Sequence, residues 1–206
     1  DADTIEGNQF GFTAVYLDGD YSAGSFFDNT HVHLISFAPG FDYNLTFGAN
    51  FLSDYPRTHT IDGSGLGPED SLYVDLSASM ALNGFVEAHG GNGADTFIGG
   101  ATRETFFGYG GNDTIYGGRG GDKLYGGAGA DTYLYLSSEQ IGGEIFDFSW
   151  TDKLDFSAID GMTFLGSSPF TGAPGEYRYQ FSGTTADPRT TEVQIDANGD
   201  GIKDAS

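Results

Sequence analysis

From Gly90 to Leu134 the chain is written in nines: GGNGADTFI, GGATRETFF, GYGGNDTIY, GGRGGDKLY, GGAGADTYL. Glycine leads each unit, an acid holds the sixth place and an apolar residue the eighth. A period this short is the mark of stacked, short parallel strands. The seventh to ninth residues of each unit make a minimal strand whose eighth residue points into a thin core: Phe97, Phe106, Ile115, Leu124 and Tyr133. Two units make one turn, so every second unit falls on the same edge. Asp95, Asp113 and Asp131 then share one edge, and Glu104 with Asp122 the other. Glycines at the first, second and fourth places let the backbone take positive φ and turn its carbonyls inward beside the sixth-place carboxylate. The fold class that follows is all-β: a parallel β-roll at 81–136, flanked by an N-terminal β region at 1–80 and a C-terminal β cap at 137–206.

Charge narrows the partners. Thirty acids against eight basic residues leave a formal net charge of -22. Such a field repels phosphate backbones and anionic membranes and draws cations, which excludes nucleic acid as a partner. There is no cysteine, so no disulfide staples a chain with 34 glycines. Bound metal is the remaining kind of staple. No run approaches the roughly 18 apolar residues that span a membrane. No signal peptide opens the chain, so an exported protein would carry its address elsewhere.

The repeats resemble the RTX, or haemolysin-type, calcium-binding β-roll. The stretch from Asp113 to Asp131 fits that family's spacing Asp-x-Leu/Ile-x4-Gly-x-Asp-x-Leu/Ile-x-Gly-Gly-x3-Asp at every place. The resemblance implies six-coordinate Ca²⁺ between successive loops on each edge. Asp95, Asp113, Asp122 and Asp131 stand at the carboxylate ligand places. Gly91, Gly93, Gly111, Gly118, Gly120, Gly127 and Gly129 stand at the matching loop places. The second unit departs from the pattern, with Arg103 at a glycine place and Glu104 for Asp, so its site reads as incomplete or vacant.

Before the repeats, 12–17, 31–37, 43–51 and 71–80 are short apolar or alternating runs parted by turn-formers such as Asp18-Gly19-Asp20, Pro39-Gly40 and Asp62-Gly63-Ser64-Gly65. They predict a β-sandwich or an irregular β-helix; Asp62-Gly63-Ser64-Gly65-Leu66 followed by 71–77 resembles the strand pairs that often precede RTX arrays, which implies that this region leads continuously into the roll. The opening phrase Ala2-Asp3-Thr4-Ile5 repeats Ala94-Asp95-Thr96-Phe97 and Ala130-Asp131-Thr132-Tyr133. A chain that begins inside a degenerate repeat is expected of a piece of a longer protein.

After the repeats, 145–160, 169–172, 175–179 and 196–201 resemble the C-terminal domain of serralysin-type secreted metalloproteases. Asp147 and Asp152 within this stretch are candidate calcium ligands. Tyr177, Tyr179 and Phe181 alternate as one strand face and Val193 with Ile195 as another, a hairpin able to cap an open roll end. Asp196, Asn198, Asp200 and Asp204 place oxygens at the first, third, fifth and ninth positions of an EF-hand-like loop, with Gly201 at the sixth. The twelfth position of such a loop lies beyond Ser206, and a solvated Asp/Gly turn is the rival reading.

Catalytic chemistry finds little support. His31 and His33 lie on one strand face and could begin a zinc site, but no third ligand is identifiable. No His-Glu-x-x-His occurs, so the serralysin zinc centre is absent and its activity does not transfer. There is no cysteine nucleophile and no Gly-x-Ser-x-Gly elbow. Paired carboxylates for glycoside chemistry stay open, though Asp residues recurring in register are better explained as metal ligands. Twelve Tyr and 18 Phe serve as core or as a sugar platform. The leading expectation is a non-catalytic calcium-binding module of a secreted bacterial protein, exported unfolded by type I secretion machinery and folded by extracellular Ca²⁺. Its rivals are an adhesin or matrix module binding glycan or a neighbouring copy, and the non-catalytic part of a secreted hydrolase, lyase or epimerase.

Overall fold

The structure is a computed structural model that describes residues 4–7, 13–17, 25–27, 32–48, 58–79, 84–137, 143–181, 191–196 and 198–202. Every helix or strand among them is a β-strand: β1 (Thr4–Gly7), β2 (Thr13–Leu17), β3 (Ser25–Phe27), β4 (Val32–Phe37), β5 (Tyr43–Phe47) and β6 (Thr58–Asp62). There follow β7 (Leu72–Asp75), β8 (Phe85–Gly91), β9 (Thr96–Ile98), β10 (Arg103–Tyr109), β11 (Thr114–Tyr116) and β12 (Lys123–Tyr125). The last six are β13 (Thr132–Leu134), β14 (Glu144–Ile145), β15 (Lys153–Asp155), β16 (Thr163–Phe164), β17 (Glu176–Phe181) and β18 (Thr191–Asp196). Glycine recurs too often for a helix to propagate, and the short alternating runs between turns favour strands.

The chain divides into two compact units, Asp1–Leu134 with Gly143–Leu154, and Tyr135–Gly142 with Asp155–Ser206. In the first, successive strands alternate between two sheets. One sheet runs β1-β2-β4-β6-β8-β10-β12-β14 and the other β15-β13-β11-β9-β7-β5-β3. The ladders from β2 to β14 and from β3 to β13 are parallel. Parallel ladders fed alternately by one chain are those of a β-roll, and strand length follows from the nine-residue unit. β6 pairs with β8 and β7 with β9. The described strands of residues 1–80 therefore lie in the same two sheets as the repeats. β1 is the exception, antiparallel to β2, whereas the phrases it echoes open the parallel strands β9 and β13.

Register places one apolar residue per turn at the centre of each sheet. In the first sheet the column is Ile35, Ile61, Ala88, Phe106 and Leu124. In the second it is Leu45, Val74, Phe97, Ile115 and Tyr133. All ten are buried, and the Phe97 and Phe106 rings stack with centroids 5.1 Å apart. The sheets are thus held face to face by a core one side chain deep on each side, which sets the sixth-place residues at its rim.

In the second unit β17 pairs antiparallel with β18 and parallel with β16. Tyr177 lies opposite Ile195, which is buried. The side chains of Tyr179, Phe181 and Val193 are outside the described residues. Phe156 packs against Tyr135 at 4.6 Å and Tyr177 at 4.4 Å.

Candidate metal centre

Two columns of side chains run along the rim of the roll. In the second sheet the column reads Tyr43, Leu72, Asp95, Asp113, Asp131 and Asp152. Tyr43 and Leu72 are in register, and Leu72 donates its backbone N–H to Asp95 Oδ1 at 2.8 Å. The backbone N–H of Asp95 then donates to Asp113 Oδ1 at 2.8 Å, that of Asp113 to Asp131 Oδ1 at 2.9 Å, and that of Asp131 to Asp152 Oδ1 at 3.0 Å. In the first sheet the column reads His33, His59, Val86, Glu104 and Asp122. There the Glu104 backbone N–H donates to Asp122 Oδ1 at 2.9 Å. One oxygen of each of these aspartates thus ties its turn to the one before, whereas Glu104 Oε1 accepts from Thr102 of its own unit.

The second oxygens are different. Asp113 Oδ2 and Asp131 Oδ2 are buried and accept no hydrogen bond, and Asp122 Oδ2 and Glu104 Oε2 are buried without an N–H or hydroxyl donor, although these two side chains hydrogen-bond to each other. An ionised oxygen withdrawn from water without a donor is costly, so the unpartnered atoms in register point to a missing positive charge. Asp95 differs, since its Oδ2 accepts from the Gly91 N–H at 2.7 Å.

The first-place glycines shape the pocket around these oxygens. A Cβ at Gly108 would strike Asp113 Oδ2 and the Gly126 carbonyl, and one at Gly126 would strike Asp131 Oδ2. At Gly117 it would sit 2.9 Å from Asp122 Oδ2, and at Gly99 3.1 Å from Glu104 Oε2. The sequence reading gave these glycines a positive φ. Their actual reason is proximity: none of them has a positive φ, and each leaves space that a methyl group would take from the carboxylate. Gly90, Gly99, Gly108, Gly117 and Gly126 were missed as site residues, although glycine at this place in all five units was the signal.

Positive φ belongs to the loop glycines. Gly111, Gly118, Gly120, Gly127 and Gly129 adopt it, whereas Gly91 and Gly93 do not. Tyr109, at the second place of its unit, takes φ 71° without being glycine. At the fourth place, carbonyls stack: a Cβ at Gly111 would strike the Gly93 carbonyl, and one at Gly129 the Gly111 carbonyl. In the second unit the fourth-place residue is Thr102, whose carbonyl faces Gly120 in the same way. Arg103 stands one place later, exposed, with its guanidinium 5.6 Å from the Phe85 ring centroid.

Burial pushes the Asp113 carboxyl up to about 8, opposed by its bond from Asp95 and reinforced by the charges of Asp95 and Asp131. Burial likewise pushes Glu104 up to about 8, with the neighbouring Asp122 adding to it. Asp95 and Asp122 are raised by burial to about 6, and Asp131 is raised for the same reason. These are acids held where a proton or a cation is wanted. Among the described residues no three His, Cys, Asp or Glu side chains converge, so an ion here takes much of its coordination from carbonyls. Hard oxygen donors without nitrogen or sulfur suit Ca²⁺.

The remaining candidates lie elsewhere. Asp147 accepts from the N–H groups of Gly126 at 3.0 Å and Gly127 at 2.8 Å. Asp152 accepts from Asp131 and, through Oδ2, from Ser149 N–H at 2.6 Å. Phe146, just before Asp147, and Phe148 and Trp150 between the two acids face outward. In the second unit Asp196 is buried; its Oδ1 accepts from Gly199 at 2.7 Å and Asp200 at 3.2 Å, and its Oδ2 from Gly201 at 2.8 Å. Asn198 accepts from Asp200 at 2.8 Å, and Asp204 lies outside the described residues. His31 does too, and His33 stacks instead on His59, centroids 5.4 Å apart. On the outer face of the first sheet, His89, Phe107, Tyr125 and Phe146 stack at 4.8, 4.7 and 4.8 Å. That is the strand spacing, so these rings spend their faces on one another across the ladder and turn their edges outward.

A roll whose rim carries buried, unpartnered carboxylate oxygens set over glycines and beside stacked carbonyls is a cation-binding repeat structure. The family model of the RTX calcium-binding nonapeptide repeat matches here in four copies, at residues 82–103, 89–119 and 98–133. Residues 82–133 are thus similar to RTX repeats, a family of non-catalytic modules that bind Ca²⁺. No curated protein matches the chain.

Proposed function

We propose that the chain is a calcium-gated folding module, with ions between Asp95 and Asp113 and between Asp113 and Asp131. On the opposite edge Asp122 is the principal carboxylate. The loop carbonyls at the Gly91, Gly93, Gly111, Gly118, Gly120, Gly127 and Gly129 places complete the donor set. The observation that carries this reading is the row of buried Oδ2 atoms without donors. When bound, Ca²⁺ supplies the positive charge between acids stacked one turn apart. The chain's own part is to hold those acids: backbone N–H groups fix one oxygen of each, the first-place glycines admit the other, and the apolar columns keep water out.

Without the ion the acids repel one another and the glycine-rich loops lose much entropy on ordering, so the repeats are disordered. Binding free energy then becomes folding free energy. Extracellular calcium modules bind at roughly 10⁻⁴ to 10⁻³ M, which keeps such a chain unfolded in a low-calcium cytosol. That behaviour suits export as an unfolded chain by type I secretion machinery and folding outside the cell, and RTX repeats are typical of secreted bacterial proteins. Asp147 and Asp152 extend the rim past the last repeat and belong to this proposal as closing residues. No ion is proposed at Asp196: its loop's own N–H groups engage both its oxygens and, unlike Asp95 beside Asp113, it has among the described residues no stacked acid with a donor-free oxygen next to it. The test is circular dichroism in EGTA followed by millimolar Ca²⁺. The reading expects β signal and melting temperature to rise with calcium; a spectrum and melt indifferent to the chelator would end it.

A further inference from the structure

Tyr109 stands at the second place of the third unit, where the other four units have glycine. Its backbone holds φ 71°, as Gly118 holds 82° and Gly127 96° at the same place. That conformation is unfavourable for any residue with a Cβ, and a side chain kept there has a use that outweighs the strain. The ring lies on the outer face of the first sheet and is 47 % exposed. Its hydroxyl is 2.9 Å from His89 Nδ1, and His89 Nε2 is 2.8 Å from Glu87 Oε1. An ionised carboxylate only accepts, so Glu87 assigns the hydrogen of a neutral imidazole to Nε2 and leaves Nδ1 to accept from the phenol. The His89 ring is held flat against Phe107, with centroids 4.8 Å apart and planes 7° from parallel. Glu87 and His89 belong to β8 and Tyr109 to β10, so this line of three groups is a product of the fold.

A phenol keeps its proton at neutral pH, but the loss of one electron makes it a strong acid. Its oxidation is therefore fastest where a base already holds the hydroxyl hydrogen. We propose that Tyr109 is a site of one-electron oxidation and of phenol coupling between copies of this chain, with His89 as the proton acceptor. The electron passes to a one-electron oxidant of the haem-peroxidase class, the O–H bond breaks and the proton moves to His89 Nδ1. The resulting imidazolium stays bonded to the Glu87 carboxylate, which balances its charge. Two such tyrosyl radicals, from separate copies, join by a C–C bond between ring carbons ortho to oxygen. Each ring then shifts the hydrogen of that carbon to its oxygen and is a phenol again, so the pair has lost two electrons and two protons. The exposed edge of the Tyr109 ring gives a second copy access to that carbon.

Tyr16 on β2 is exposed nearly as far, at 43 %, so access alone would oxidise both. The whole chain, in millimolar Ca²⁺, is treated with a haem peroxidase and limiting hydrogen peroxide, and peptide mass spectrometry follows each tyrosine and locates dityrosine. The wild type is expected to lose Tyr109 at least about tenfold faster than Tyr16, below the roughly 10²-fold or more that a positioned general base supplies. Dimers cross-linked through Tyr109 accompany that loss and disappear in Tyr109→Phe. His89→Phe, which keeps a ring on Phe107 but has no base, is expected to bring Tyr109 down to the rate of Tyr16 and leave Tyr16 as it was. A wild type that loses the two tyrosines at equal rates overturns the proposal, whether or not His89→Phe folds. A preference for Tyr109 that persists undiminished in His89→Phe overturns it too, because strain or exposure would then be the cause.

Discussion

At Gly108 a single methyl group would strike both the Asp113 carboxylate and the Gly126 carbonyl. Gly65 is an exposed turn glycine with nothing within 4 Å of its Cβ position and no positive φ. Gly108→Ala is therefore expected to weaken calcium affinity at least about tenfold, the lower end of what disturbing a ligand's surroundings costs. Gly65→Ala stays within about 0.5 kcal/mol of wild type. Calcium titrations followed by dichroism compare the two, and equal effects would remove the glycine from the site. Asp113 borders the gaps to both Asp95 and Asp131, whereas Glu104 borders only that to Asp122. Asp113→Asn should thus lose about 1.4 kcal/mol for each ion forfeited at tenfold excess over Kd, and more than Glu104→Ala does. In EGTA the sign reverses, because the amide removes a buried charge. Melting temperatures with and without chelator read both signs, and a variant equally destabilised in both would show that Asp113 is structural only.

Among the strands, the turns built by β4 to β7 differ from those built by β9 to β13 in what fills the rim. The second-sheet column changes from Tyr43 and Leu72 to Asp95, Asp113 and Asp131, and the first-sheet column from His33, His59 and Val86 to Glu104 and Asp122. Tyr43 and Leu72 are buried, and the Tyr43 hydroxyl donates to the Ala38 carbonyl at 2.9 Å. Apolar side chains at the rim need no counter-charge. Hydrogen exchange in EGTA is expected to leave β4 to β7 protected while β9, β11 and β13 lose protection, and calcium restores the latter. Uniform loss across both groups would mean that the early turns depend on the ions as much as the repeats do.

For the molecule as a whole, 30 acids against eight basic residues make pH and calcium oppose one another. Asp113 and Glu104 are raised to about 8 and Asp95 and Asp122 to about 6 in the folded chain. A group raised on folding stabilises fully below its unfolded pKa, near 4 for a carboxyl, and that stability is lost as pH rises through the folded value. In EGTA the roll is accordingly most stable near pH 4 to 5 and weakens towards pH 8. With millimolar calcium the dependence inverts, since the ligands must be ionised. Melts from pH 4.5 to 8.5 under both conditions check this; parallel curves would contradict it. No helix among the described residues is long and apolar enough to cross a membrane.

What the sequence determined by itself is whatever repeats within nine residues. The strand triplets, the inward Phe97, Phe106, Ile115, Leu124 and Tyr133, the pairing of every second unit on one edge and the oxygen-only donor set are all local consequences of a period. The tertiary structure decided what depends on the neighbouring turn. Only stacking shows that the first-place glycines make room for a carboxylate, since the atom that would clash belongs to another part of the loop or to the next turn. The early strands were legible as strands leading into the roll, but a sandwich and a β-helix could not be told apart. Their rungs, from Ile35 to Ile61 to Ala88, are longer than the 18 residues that join Asp95 to Asp113, and unequal rungs leave no period to read. Glu104 shows the limit most plainly: its letter breaks the pattern, and only the fold shows it buried in the same column as Asp122.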